Sequence, residues 1–132
     1  MKMLKAFVDE HRITMACTLT DSNPNMADMP AGSTHWRCVL RRGNKRLTTP
    51  FSMGPAHRSE PTVQNVLGCL ASDAAGIENN SNFEDWCGEY GYDTDSRKGE
   101  RVFRAVKAEQ RKLRQFLGDE LYSELVWSVE RE

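Results

Sequence analysis

The chain has 132 residues, 39% of them hydrophobic and 28% charged, and a formal net charge of -1. That length is enough to bury one core without disulfide or metal support, and the near-neutral balance excludes a global pull toward nucleic acid or an anionic membrane. No apolar run reaches the roughly 18 residues of a membrane span, and Met1 to Val8 lacks a signal-type apolar core, so a single cytoplasmic domain over residues 1-132 with no membrane contact is expected.

Ile13, Met15, Cys17 and Leu19 alternate with Thr14, Ala16, Thr18 and Thr20, the period of two that predicts a half-buried strand. Asp21 to Thr34 follows as a loop of about fourteen residues rich in Asn, Pro, Met and Gly, long for a compact domain. With Met53 to Glu60 it is expected at one end of the sheet. There Met26, Met29 and Met53 form either an adaptable contact surface or an ordered cover.

The second strand, His35 to Arg42, puts Trp36, Cys38 and Leu40 on one face and His35, Arg37, Val39 and Arg41 on the other. Gly43-Asn44 suits a type II′ turn. A two-residue turn pairs Arg42 with Lys45, Leu40 with Leu47, Cys38 with Thr49 and Trp36 with Phe51. The apolar faces then coincide, which a slip of one residue would destroy. Pro50 lacks a ladder donor, so the third strand is an edge or stops nearby.

Beyond Phe51 the period becomes helical. Val63, Val66, Leu67, Leu70, Ala71 and Ala74 share a face, with Gly76 expected to end the helix. Ser81-Asn82-Phe83-Glu84 has capping-box spacing ahead of Trp86 and Tyr90, closed by Gly91. A longer helix starts near Asp95 or Ser96. Its apolar stripe is Val102, Phe103, Val106, Gln110, Leu113 and Leu117, and Arg97, Arg101, Arg104, Lys107, Arg111 and Arg114 lie opposite. Gly118 breaks it before a last segment with Leu121, Leu125 and Val129 on its apolar face. The order predicts an α+β fold: a three-stranded antiparallel sheet in the N-terminal half, packed on one face by three to four C-terminal helices and open on the other.

Charge is segregated on these elements. Met29 to Ser59 has no acid but holds Arg37, Arg41, Arg42, Lys45, Arg46 and Arg58; Ala71 to Ser96 has no base but holds Asp73, Glu78, Glu84, Asp85, Glu89, Asp93 and Asp95. From Arg97 to Arg114 only Glu100 and Glu109 oppose eight positive residues, too few for i,i+4 pairing to balance the stripe. Arg41 opposite Arg46 is a like-charge pair that asks for compensation. Two readings stay open for the hairpin: a surface for a polyanion or protein, with Trp36 or another ring available to stack on a base, or an edge protected from aggregation by its charges. The acidic segment either folds against the basic helix or imitates a nucleic-acid strand. The candidate binding residues are His35, Arg37, Arg41, Arg42, Lys45 and Arg46 on the hairpin and Arg101, Arg104 and Arg111 on the helix.

Chemistry-bearing motifs are sparse. Cys17, Cys38, Cys69 and Cys87 lack CxxC or CxxH spacing and read as reduced, buried thiols, an expectation that concerns burial as well as redox state. His11, His35 and His57 have no metal spacing, and Asp93-Thr94-Asp95 departs from a calcium loop at Arg97, Gly99 and Arg104. A Cys38 nucleophile is disfavoured because the alternation buries it between Trp36 and Leu40. No phosphate-loop, dinucleotide or zinc-protease pattern occurs, so no catalytic residue, metal or cofactor is expected.

The stretches Asn23-Pro24-Asn25-Met26, Met29-Pro30-Ala31-Gly32-Ser33-Thr34-His35-Trp36, and Phe83-Glu84-Asp85-Trp86 running on to Tyr92-Asp93-Thr94-Asp95-Ser96-Arg97-Lys98 resemble small uncharacterised bacteriophage and prophage proteins. The resemblance implies a phage accessory protein, non-enzymatic, that inhibits a host defence complex in the bacterial cytoplasm as anti-CRISPR proteins do. Its partner would be a host protein or ribonucleoprotein complex. The alternative is a direct RNA- or DNA-binding protein, and the open sheet face also allows a homodimer.

Overall fold

Leu4, Phe7 and Val8 recur at helical spacing and are buried in a helix, α1 (Lys2–Glu10), that precedes every element expected from the sequence. It ends in a Schellman motif: the Arg12 amide donates to the Asp9 carbonyl and the Ile13 amide to the Val8 carbonyl, with Arg12 in the left-handed region at φ 52°. The computed structural model describes residues 2–25, 29–56, 59–80 and 82–131. After α1 come β1 (Thr14–Thr20), β2 (Thr34–Arg42), β3 (Lys45–Met53), α2 (Val63–Glu78), α3 (Phe83–Tyr90), α4 (Arg97–Leu117) and α5 (Asp119–Arg131). The fold is α+β, a three-stranded antiparallel sheet followed by helices. Among the described residues no helix is long and apolar enough to cross a membrane.

By its internal contacts the chain divides into two compact units, Met1–Gly68 and Cys69–Glu132, with the division inside α2. In the first unit the strand order is β1-β2-β3. The β2–β3 register matches the expectation pair for pair, Arg42 with Lys45 through Trp36 with Phe51. Gly43 has φ 58° and Asn44 is not among the positive-φ residues, as a type II′ turn requires. Pro50 lies on an edge strand, as its missing N–H predicts, but β3 continues past it to Met53. β1 pairs with β2 so that Met15, Cys17 and Leu19 face Leu40, Cys38 and Trp36. Trp36, Cys38, Leu40 and Leu47 are buried, as are Val66 and Leu67 of α2.

Both loops leave the same end of this sheet. A Cβ on Gly32 would meet Pro55 at 3.2 Å, which places the two connections side by side. Met29 and Met53 are half-buried, while Met26 lies outside the described residues. Asn23, 5% exposed, anchors the first loop: its Nδ2 donates to the Ser52 hydroxyl at 2.9 Å and its Oδ1 accepts from the Asn25 amide at 2.9 Å.

In the second unit several local expectations shift by a residue or two. Gly76 does not end α2. It sits in the last turn, two residues before the helix ends at Glu78, where a Cβ would fall 2.1 Å from the Tyr90 hydroxyl, so its role is to let that ring approach. The cap of α3 is Asn82, not Ser81, which lies outside the described residues; the Asn82 side chain accepts from the Asp85 amide at 2.9 Å. Ser96 caps α4 by accepting from the Gly99 amide, so the helix starts where expected, and Gly118 at φ 81° separates α4 from α5, also as expected. The apolar face of α5 is Tyr122, Leu125 and Val126, with Leu121 only half-buried; the side chain of Val129 lies outside the described residues.

Candidate binding surfaces

The arginines of the first unit owe their arrangement to strand alternation. The face of the sheet opposite Trp36 and Leu40 carries Thr14, Ala16, Thr18 and Thr20 of β1, His35, Arg37, Val39 and Arg41 of β2, and Arg46, Thr48, Pro50 and Ser52 of β3. Thr14, Arg41 and Arg46 form one cross-strand row, and Thr18, Arg37 and Pro50 another. All four β1 residues of this face are exposed, as are Arg37, Arg41 and Arg46. Among the described residues these arginines form no ion pair.

The hairpin residues named from the sequence therefore do not form one cluster. Arg37, Arg41 and Arg46 share the open face, but Arg42 and Lys45 lie at the turn with the parity of Leu40 and Leu47, and Arg42 is half-buried and already engaged. His35 is on the open face, half-buried, with Nδ1 2.7 Å from the Ser52 hydroxyl that also holds Asn23. Trp36 is not available for stacking: it is 8% exposed, on the opposite face, and its indole N–H donates to the Thr34 hydroxyl at 3.1 Å.

The second unit presents its cations differently. Trp86, 2% exposed, gathers Tyr92 stacked at 5.3 Å and Phe103 and Tyr90 tilted at 5.2 and 5.1 Å, while Phe83 tilts against Phe103 at 5.1 Å. Above Phe83 and Phe103 opens a groove of about 580 Å³ whose other walls are Glu100, Arg104, Lys107 and Arg111. Lys107 is not on the solvent side of α4 as its place opposite the stripe implied; its ammonium lies over the Phe103 ring at 5.3 Å. Arg104 pairs with Glu100 one turn earlier, whereas Arg111 and Arg101 are exposed and form no ion pair among the described residues. A floor of rings with cations beside it suits an anionic group attached to a flat one.

The acidic segment's Phe83 floors the groove, but its carboxylates Asp73 and Glu78 meet α4 away from it. Glu78 accepts from the Gln110 amide at 2.7 Å and from the buried Tyr122 hydroxyl at 2.8 Å. The Asp73 carboxyl pKa is raised above its ordinary 3.8, first by desolvation and then because Glu109 is nearby and negative. Elsewhere α4 cations find acids close in sequence: Lys112 on Glu109 at 3.0 Å and Arg114 on Asp119 at 2.7 Å. Local pairing thus balances more of the stripe than residue counting implied.

Among the described residues no group of His, Cys, Asp and Glu is arranged to hold a metal ion. Desolvation pushes the Cys38 thiol up to about 12, with the Cys17 sulfur adding to the effect, so little thiolate is present at neutral pH. No protein-family model matches the chain, and neither a curated protein nor a solved structure matches it. The sequence missed the anchor of Asn23 on Ser52 and the Phe83–Phe103 floor because both join residues from separate elements.

Proposed function

We propose that this protein is a non-enzymatic binding protein, a small phage-type accessory protein acting in the bacterial cytoplasm. It docks its arginine face on an acidic surface of a host nucleic-acid-handling or defence complex and so inhibits it, in the manner of an anti-CRISPR protein. The observation that carries this reading is the exposed set Arg37, Arg41 and Arg46, held on a sheet with no ion pair among the described residues. Arg41 directly opposite Arg46 destabilises the free protein, and an acidic partner relieves that repulsion on binding. The face has no Phe, Tyr or Trp, which favours a carboxylate-rich protein surface over a stacked single strand. A homodimer through this face would set arginines against arginines, so an external partner suits it better.

The test is affinity capture from bacteria that carry defence systems, with wild type and the Arg41→Glu/Arg46→Glu double variant as baits. Recovery of a defence complex by the wild type alone supports the reading. Failure of the wild type to recover any such complex overturns it.

One observation favours direct RNA or DNA binding as a second reading: the α4 groove combines two rings with Arg104, Lys107 and Arg111. Oligonucleotide anisotropy at about 50 and 200 mM salt checks it, since phosphate contacts weaken steeply over that range. Absence of binding at the lower salt removes this reading and leaves the first intact.

A further inference from the structure

Cys17 and Cys38 are register partners on adjacent antiparallel strands and point from the same face of the sheet. Their sulfurs lie 3.5 Å apart, and both are free thiols. Directly opposed residues on one sheet face have Cβ atoms about 4.5–5.5 Å apart, close to the separation of about 3.5–4.5 Å that a disulfide spans. The two sides of the pair differ. Cys17 is half-buried on the edge strand β1, while Cys38 is fully buried on the central strand.

We propose that Cys17 and Cys38 form a dithiol site that a hydroperoxide converts into a cross-strand disulfide. The more accessible Cys17 sulfur attacks the peroxide, taking one oxygen to become a sulfenic acid while the O–O bond breaks and the other oxygen leaves as water or an alcohol. The Cys38 sulfur then attacks the Cys17 sulfur, the S–O bond breaks, and the leaving hydroxide takes the Cys38 proton to form water. Two thiols have lost two electrons, and the peroxide has gained them. Burial holds the Cys38 thiol protonated, which assigns Cys17 the first step and Cys38 the second. Cys69, though exposed, and Cys87 lie on α2 and α3 and have no register partner of this kind. The bond would tie β1 to β2 on the face away from Arg37, Arg41 and Arg46, so the arginine face stays open in both redox states.

The full chain is treated with hydrogen peroxide, its remaining thiols are alkylated, and the product is mapped by mass spectrometry. The expected product has lost two hydrogens and contains a peptide linking Cys17 to Cys38, formed faster in native protein than in urea. A Cys17→Ser variant should give no such loss. A Cys38→Ser variant should stop at a Cys17 sulfenic acid that a cyclic dione captures; if that variant does not fold, Cys38→Ala or the Cys17→Ser result decides. Oxidation of Cys69 or Cys87 with Cys17 and Cys38 both still alkylated, a link formed only after unfolding, or an undiminished two-hydrogen loss in Cys17→Ser would overturn the proposal.

Discussion

The two basic surfaces of this protein handle self-repulsion in different ways. On the sheet, Arg37, Arg41 and Arg46 stand among threonines on a face without an acid, and the twofold alternation of strands gives them no neighbour of opposite sign. On α4 the helical period returns a partner within one turn, so Arg104 finds Glu100 and Lys112 finds Glu109, while Lys107 spreads over Phe103. A cation count treats the two alike. The backbone period separates them: the helix neutralises part of its charge locally, and the sheet leaves Arg37, Arg41 and Arg46 without an ion pair among the described residues.

The largest way to break this comparison is to remove the aromatic support on which the α4 groove depends. Trp86→Ala deletes the ring that Tyr90, Tyr92 and Phe103 rest on, and should lower stability by about 3–5 kcal/mol in denaturant titration. A loss below about 1 kcal/mol would show that the groove stands without that cluster.

On the sheet the informative change has opposite effects on stability and binding. Arg46→Glu turns the like-charge pair with Arg41 into an attractive one and should raise stability by about 0.5–1 kcal/mol while weakening capture of the proposed acidic partner. If both fell together, the variant would be damaging the fold rather than reporting on the surface.

Asp73→Asn sharpens the contrast within the second unit. The folded protein raises the Asp73 pKa above its ordinary 3.8, so the ionised carboxylate is disfavoured when folded and wild type is less stable above that window than below it. The variant should therefore be more stable at pH 7, by about 0.5 kcal/mol or less for an exposed side chain, and lose that advantage as pH falls to 3.8 and below. Denaturation midpoints at neutral and acid pH check it. Smallest of all, Arg104→Ala removes an exposed i,i+4 pair and should shift stability by about 0.3 kcal/mol, with that shift vanishing in high salt.

How much was legible depended on the range of the interaction. The β2–β3 register could be read because a two-residue turn leaves a single pairing that sets Trp36, Leu40, Leu47 and Phe51 on one side, the first three of them buried. The β1–β2 register could not, since the loop from Asp21 to Ser33 permits many offsets, and with it the Cys17–Cys38 pair stayed hidden. α1 was legible in principle from Leu4, Phe7 and Val8, but three apolar residues at a terminus are a short signal. Gly76 reads as a stop in any helical pattern until a ring from another helix is seen against it.

By itself the sequence determined the α+β order, the hairpin, the Leu113 and Leu117 end of the α4 stripe, though not the buried Phe116, and the alternation that puts Arg37, Arg41 and Arg46 on one face. All of these follow from backbone periods and turn chemistry acting over a few residues. Only the tertiary structure decided which cations keep no ion pair among the described residues, which rings floor the groove, and which thiols meet. Those depend on contacts between elements far apart in the chain, where packing selects one arrangement among many that the local pattern allows.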